Sequence, residues 1–309
     1  MMKKPLVTHP PLAYKDEKFL ENDDARPLRI LAEYLQPLHN FREEGIHDTI
    51  VFFGSARLTP NGPLGRYYKE ARELARLVTT WCKGLASPGH RYTVCSGGGG
   101  GIMEAANRGA SDAGGRTIGL NIGLPHEQRP NRYITRGLSF EFHYFFMRKL
   151  WFAHLARAMV VFPGGFGTLD EMAEILTLQQ TGKFDRKIPI LLYGSEYWKE
   201  IINFDALARH GMISRSDLKL FRYADDPGTA CAMLQAALKP RTVEKIPAFA
   251  HSRTSHRHEA LRASAISVSE MLETVSVNSD ECYDLDPPKV LPRSIRGSKS
   301  RPSSLRDRK

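Results

Sequence analysis

The chain has 309 residues, 41% of them hydrophobic, enough to fill one good-sized core, and its length allows one or two domains. Its formal charge of +10 is uneven: residues 287–309 hold eight Lys or Arg against Asp307 alone and contribute +7, leaving +3 elsewhere. A Ser/Pro/Arg-rich tail of that kind reads as solvated chain rather than a nucleic-acid footprint. Cys82, Cys95, Cys231 and Cys282 form no CxxC pair, the N-terminal stretch "MMKKPLVTHPPLAYKDEKF" has no apolar h-region, and no apolar run approaches eighteen residues. These features argue against disulfides, zinc, secretion and membrane spanning, and for a cytoplasmic protein.

In chain order, residues 1–22 read as a polar tail. Residues 23–46 offer Asp24 as a cap, Pro27 in the first turn and a Leu28, Leu31, Leu35 stripe, which predicts an amphipathic helix ahead of the core. From Thr49, strand "TIVFFG", helix "GRYYKEARELARLVTTWCKG", strand "YTVCSGGGGG" and helix "IMEAANRGASDAGG" alternate. The pattern continues through strand "RTIGLNIG", strand "YITRGLSF", helix "FHYFFMRKLWFAHLAR", strand "AMVVFPGG", helix "TLDEMAEILTLQQTGK" and strand "IPILLYG". Helices from Glu196 and strand "LFRYADD" follow, and beyond residue 240 only 258–274 has helical character.

Such alternation predicts an α/β domain over 47–240, a Rossmann-like parallel sheet flanked by helices, with a low-order basic segment at 241–309. Ligands of open parallel sheets sit beyond the carboxyl ends of the strands. Here those ends carry "GSAR", "SGGGGG" and "PGGFGT".

The run Gly97 to Gly101 opens a helix, so its bare amides either approach a phosphate or simply make a tight turn; no GKS or GKT completes a Walker loop. "PGGFGTLDE" repeats the arrangement: Gly164, Gly165 and Gly167 permit close approach and Thr168 is placed to cap the next helix. Glu171, three residues later, then closes a capping box or faces a ligand. Arg148 sits among aromatic residues in "FHYFFMRKLWF", where a buried guanidinium must be paired, either with a structural carboxylate or with groups in the glycine-lined cleft. His143 and His154, eleven apart, make no metal pair, and His251, His256 and His258 read as linker. No metal site is expected.

Taken together, "GSAR", "SGGGGGIMEAANRGA", "RK" at 148–149 and "PGGFGTLDE" resemble the LOG (Lonely Guy) family, long labelled as lysine decarboxylases, over about residues 48–238. The PGGxGTxxE signature matches at every fixed position. The resemblance implies a Rossmann-like fold and a phosphoribohydrolase that cuts the N-glycosidic bond of nucleoside 5′-monophosphates, with Arg148 and Glu171 in the catalytic roles and no cofactor. A decarboxylase would need pyridoxal phosphate on a Schiff-base lysine, for which no motif is evident. This chain departs from the plant-type "MHERK" in reading "FHYFFMRK", and its long terminal extensions resemble the type II branch, which tends toward higher homo-oligomers.

On that reading the 5′-phosphate rests against the amides of Gly165, Gly167 and Thr168 at a helix start. Ser55 and the loop Gly98, Gly99, Gly100 and Gly101 line the nucleotide pocket, with Gly164 and Lys149 beside the substrate. Two rivals stand beside it: a non-catalytic nucleotide-binding or carrier protein on the same fold, and a nucleic-acid-associated module acting through the basic tail.

Overall fold

The structure is a computed structural model that describes residues 9–85, 92–123, 129–184 and 186–238. All lie in a compact unit spanning residues 1–241. The basic tail, the helix expected at 258–274, His251, His256, His258 and Cys282 fall outside the described residues.

A 3₁₀ turn at Ala13–Lys15 is followed by α1 (Glu17–Glu21), α2 (Arg26–Glu43), β1 (Thr49–Phe53), α3 (Gly65–Lys83), β2 (Thr93–Ser96) and α4 (Ile102–Asp112). Then come β3 (Thr117–Ile122), a 3₁₀ turn at Arg136–Leu138, β4 (Ser139–Phe142), α5 (Phe145–Leu155) and β5 (Ala156–Val161). The order continues α6 (Phe166–Gln180), β6 (Ile190–Tyr193), α7 (Ser195–Ile201), α8 (Phe204–Arg209), β7 (Phe221–Ala224) and α9 (Pro227–Ala237).

The seven strands form one sheet in the order β4-β3-β2-β1-β5-β6-β7, and every neighbouring pair is parallel. Successive residues of a strand face opposite sides of the sheet. Val51 and Phe53 accordingly join a core with Trp151, Phe152 and Met172, and Ile50 and Phe52 a second core with Leu74, Val78, Ile102 and Leu234. Helices cover both faces, which explains why β1 reads as an unbroken apolar run with every residue buried.

The strand order reverses between β1 and β5, and the three central strands β2, β1 and β5 are those that end in the glycine-bearing loops. The doubly wound topology thus converges "SGGGGG", "GSAR" and "PGGFGT" on the crevice where such sheets bind ligands.

Several local expectations are corrected. The segment 1–22 is not wholly tail, since it contains α1, capped by the Asp16 side chain on the Phe19 amide. Asp24 does not cap α2: the N-cap is Ala25, whose amide donates to the Asn22 side chain at 3.0 Å. The Leu28, Leu31, Leu35 stripe is exposed. The face that packs inward is Ile30, Tyr34, Pro37, Leu38 and Phe41, because Tyr34 and Phe41 close around Trp151 with ring centroids 5.5 and 5.3 Å away. "YITRGLSF" is a 3₁₀ turn and then β4, which starts only at Ser139, since the Thr135 hydroxyl and the Tyr133 carbonyl instead bond Thr117 at the start of β3. Helix α9, capped by Asp226 with Pro227 in its first turn, was not foreseen.

Candidate active site

The three loops are tied to one another by backbone. The Ser55 amide donates to the Pro163 carbonyl at 3.0 Å, and the Ile102 amide to the Ser55 carbonyl at 3.0 Å. Ser55 therefore links the two glycine loops and steadies its own turn, its hydroxyl accepting from the Arg57 amide at 3.1 Å.

The two glycine loops are bare for different reasons. Gly98 and Gly101 have positive φ, 76° and 62°, a region that side chains rarely occupy. A Cβ on Gly98 would collide with the Asn121 amide, and one on Gly101 with the Ser55 carbonyl. A Cβ on Gly97 would lie 2.5 Å from an Arg148 Nη nitrogen. The first amide of α4 is already spent on Ser55, so the tight-turn explanation accounts for most of this run. Gly165 and Gly167 differ: a Cβ on either meets nothing within 4 Å. Gly164 between them and the strand is fixed by packing, because a Cβ there would sit 2.1 Å from the Thr168 hydroxyl.

Helix α6 starts at Phe166 with Gly165 as its N-cap and no side-chain cap. Thr168 is therefore the third helical residue and is buried, so the capping box expected between Thr168 and Glu171 does not form. Among the described residues no acceptor outside the helix pairs with the amides of Phe166, Gly167 and Thr168. Unpaired amides at a helix start, beside glycines open to space, make a seat for an anion.

Glu171 projects one turn further along α6 and is only 6% exposed. Burial, partly offset by Arg148 and Lys149, pushes its carboxyl up to about 7. Arg148 answers it from α5. Its Nε donates to the Leu120 carbonyl at 2.8 Å and its guanidinium lies 5.1 Å from the Phe152 ring centre. Burial lowers its pKa while the Glu171 charge raises it. Among the described residues no carboxylate pairs with Arg148 at ion-pair distance, so the pairing with a structural carboxylate does not form there.

Lys149 is differently employed. Its ammonium sits 2.8 Å from Asp170 and 3.0 Å from Glu174, clasping α5 to α6 on either side of Glu171. Salt-bridged in this way it braces the helix that carries Glu171.

Sequence reasoning missed an amide clamp. The Asn131 Nδ2 donates to the carbonyls of Gly98 and Gly99 and to the Asn107 side chain, all within 3.0 Å. Fully buried Asn107 takes the Ser96 hydroxyl and donates to Ile118, and the Gly98 amide returns to Ser96. Tyr197 likewise holds the other loop, its hydroxyl donating to the Gly164 carbonyl at 2.8 Å. Asn131 and Tyr197, whose partners lie 24 to 33 positions away, carry no sequence signal, whereas the glycines they hold stand in "SGGGGG" and "PGGFGT".

Residues 103–234 match a family model described as "Possible lysine decarboxylase". A protein of Oryza sativa subsp. japonica named "Probable cytokinin riboside 5'-monophosphate phosphoribohydrolase LOG4" is 28% identical over 146 residues, 47% of this chain and 62% of that protein. The Arabidopsis thaliana "Cytokinin riboside 5'-monophosphate phosphoribohydrolase LOG3" is 29% identical over 124 residues, 39% of this chain and 56% of that one. The chain thus spans less than two thirds of the length of the curated relatives it matches. Among solved structures, the protein TM1055 aligns at a TM-score of 0.44 with 20% identity, over 61% of this chain and 99% of that one. The Moco carrier protein of Chlamydomonas reinhardtii aligns at 0.42 with 23% identity, over 62% and 97%. The RK pair at 148–149 and the PGGxGTxxE loop both lie within the matched residues 103–234.

Proposed function

We propose that this protein is a phosphoribohydrolase: it adds water across the N-glycosidic bond of a nucleoside 5′-monophosphate, releasing the free base and ribose 5-phosphate. The observation that carries the reading is the pairing of an open anion seat at the start of α6 with the buried carboxylate of Glu171 one turn along the same helix. A 5′-phosphate on the amides of Phe166, Gly167 and Thr168 directs the ribose toward Glu171. As the base departs, the ribose becomes cationic, so a carboxylate facing it stabilises the transition state more than the ground state. Glu171 in its ionised form also orients and deprotonates the attacking water. Arg148, always protonated, partly offsets the burial that disfavours the charged form of Glu171 and steadies the ribose or phosphate.

The relatives are named for cytokinin riboside 5′-monophosphate, and we include AMP as a candidate substrate because the same phosphoribosyl handle serves any base. Incubating the protein with AMP, other nucleoside monophosphates and isopentenyladenosine monophosphate, and separating the products by chromatography, tests the reading. Free base from the native chain, none from Glu171→Gln, and retained AMP binding by that variant are expected. Gly167→Val should lose binding, since its side chain grows into the open seat without disturbing protein atoms. Intact nucleotides throughout, with binding shown by calorimetry, would establish a carrier instead.

We also propose self-association. Helices α2 (Leu28, Leu31, Leu35) and α5 (Phe145, Phe146, Leu150) expose large apolar side chains, and Leu31 and Leu150 line an apolar groove between the two helices, which suits burial against a second copy.

A further inference from the structure

Helix α5, which carries Arg148, begins without a cap of its own: its N-cap is Tyr144, whose side chain bonds no backbone amide there. The missing acceptor comes from the N-terminal helix. One carboxylate oxygen of Glu33, on α2, accepts the His143 amide at 2.7 Å and the other accepts the Tyr144 amide at 3.2 Å. A glutamate inside a capping box reaches back to its own helix start; Glu33 does the same from a different helix, and its charge lies at the positive end of the α5 dipole.

Glu33 also grips α5 further along. Its backbone carbonyl accepts the Trp151 indole N–H at 3.1 Å, and the adjacent Tyr34 stacks on the Trp151 ring. Arg148 lies between these two attachments, four residues after Tyr144 and three before Trp151. On its other side Arg148 is confined by the Leu120 carbonyl and by Gly97. A shift of α5 away from α2 therefore has to carry the guanidinium with it.

We propose that Glu33 is a positioning residue: by capping α5 from the N-terminal helix it sets where Arg148 stands relative to Glu171. The extension ahead of the sheet thereby becomes part of the framework of the site. The inference rests on the reading of Arg148 and Glu171 as the pair that acts on the nucleotide, but its geometry and its test do not require turnover.

The test compares the full chain with Glu33→Ala and Glu33→Gln. The ¹³C-labelled Glu171 carboxyl is followed through a pH titration, its signal assigned by its absence in Glu171→Gln, and kcat is measured alongside. The charged groups facing Glu171 are Arg148 and Lys149 from α5 and Asp170 and Glu174 from its own helix; both cations sit on α5. Loss of the cap lets them recede, so in Glu33→Ala the Glu171 midpoint should rise above about 7. On the same grounds kcat should fall by about tenfold, more than KM changes. Glu33→Gln, which keeps an acceptor oxygen without the charge, should lie between, and it carries the test if the alanine variant does not fold. An unchanged midpoint in a folded variant overturns the inference, even if the melting temperature drops. Absence of turnover in the native chain would defeat the phosphoribohydrolase reading and leave the titration to decide the role of Glu33.

Discussion

At the scale of single residues, Glu171 is a carboxylate whose burial works against its charge. Its pKa is raised from 4.5 to about 7, so the folded protein holds a proton there that the unfolded chain has already released. Between those two values the native state binds more protons, and stability falls as pH rises through about 7. The contribution is fully present below 4.5 and amounts to on the order of 3 kcal/mol. Gln at position 171 has no charge to bury, so the Glu171→Gln variant escapes the loss of that contribution at high pH. Urea unfolding should therefore show the variant more stable than the native chain at pH 8.5, with the difference shrinking toward pH 4.5. Activity runs the opposite way: the ionised form does the chemistry, so kcat should fall as pH drops through about 7. A pH–rate profile flat from 5.5 to 8.5 would separate Glu171 from the rate-determining step.

At the scale of elements, two helices present the site and each is held by groups away from the cleft. Helix α6 is clasped to α5 through the Lys149 ion pairs with Asp170 and Glu174. Lys149→Met should lower stability by about 1 kcal/mol, the range for partly exposed ion pairs. It should also move the acid limb of the activity profile upward, because the ammonium lowers the Glu171 pKa. KM for AMP should change by less than about threefold, since a brace contributes no uniform binding; a tenfold rise would make Lys149 a phosphate ligand after all. The amide clamp of Asn131, Asn107 and Ser96 plays the matching part for the loop after β2.

At the scale of the whole molecule, exposed Leu31 of α2 and Leu150 of α5 line one apolar groove between the two helices. If a second copy covers it, Leu31→Glu combined with Leu150→Glu should shift the protein to monomer in sedimentation velocity, because burying two carboxylates in an apolar interface is costly. Unchanged sedimentation would place any assembly elsewhere. No helix among the described residues is long and apolar enough to cross a membrane.

The sequence by itself determined the layered α/β fold and the glycine-rich strand ends, because strand-helix alternation and the PGGxGTxxE spacing are local patterns that survive without tertiary context. It left Glu171 between a capping role and a place in the cleft. The tertiary structure removed the capping role, by starting α6 at Phe166 and so moving Thr168 inside the helix. It also turned Tyr34 and Phe41 inward in place of the leucine stripe, since two aromatic rings around Trp151 bury more apolar surface than the leucines beside them. The same holds for Lys149, Asn131 and Glu33: their partners lie on other elements, and which donor meets which acceptor is fixed by packing rather than by spacing along the chain.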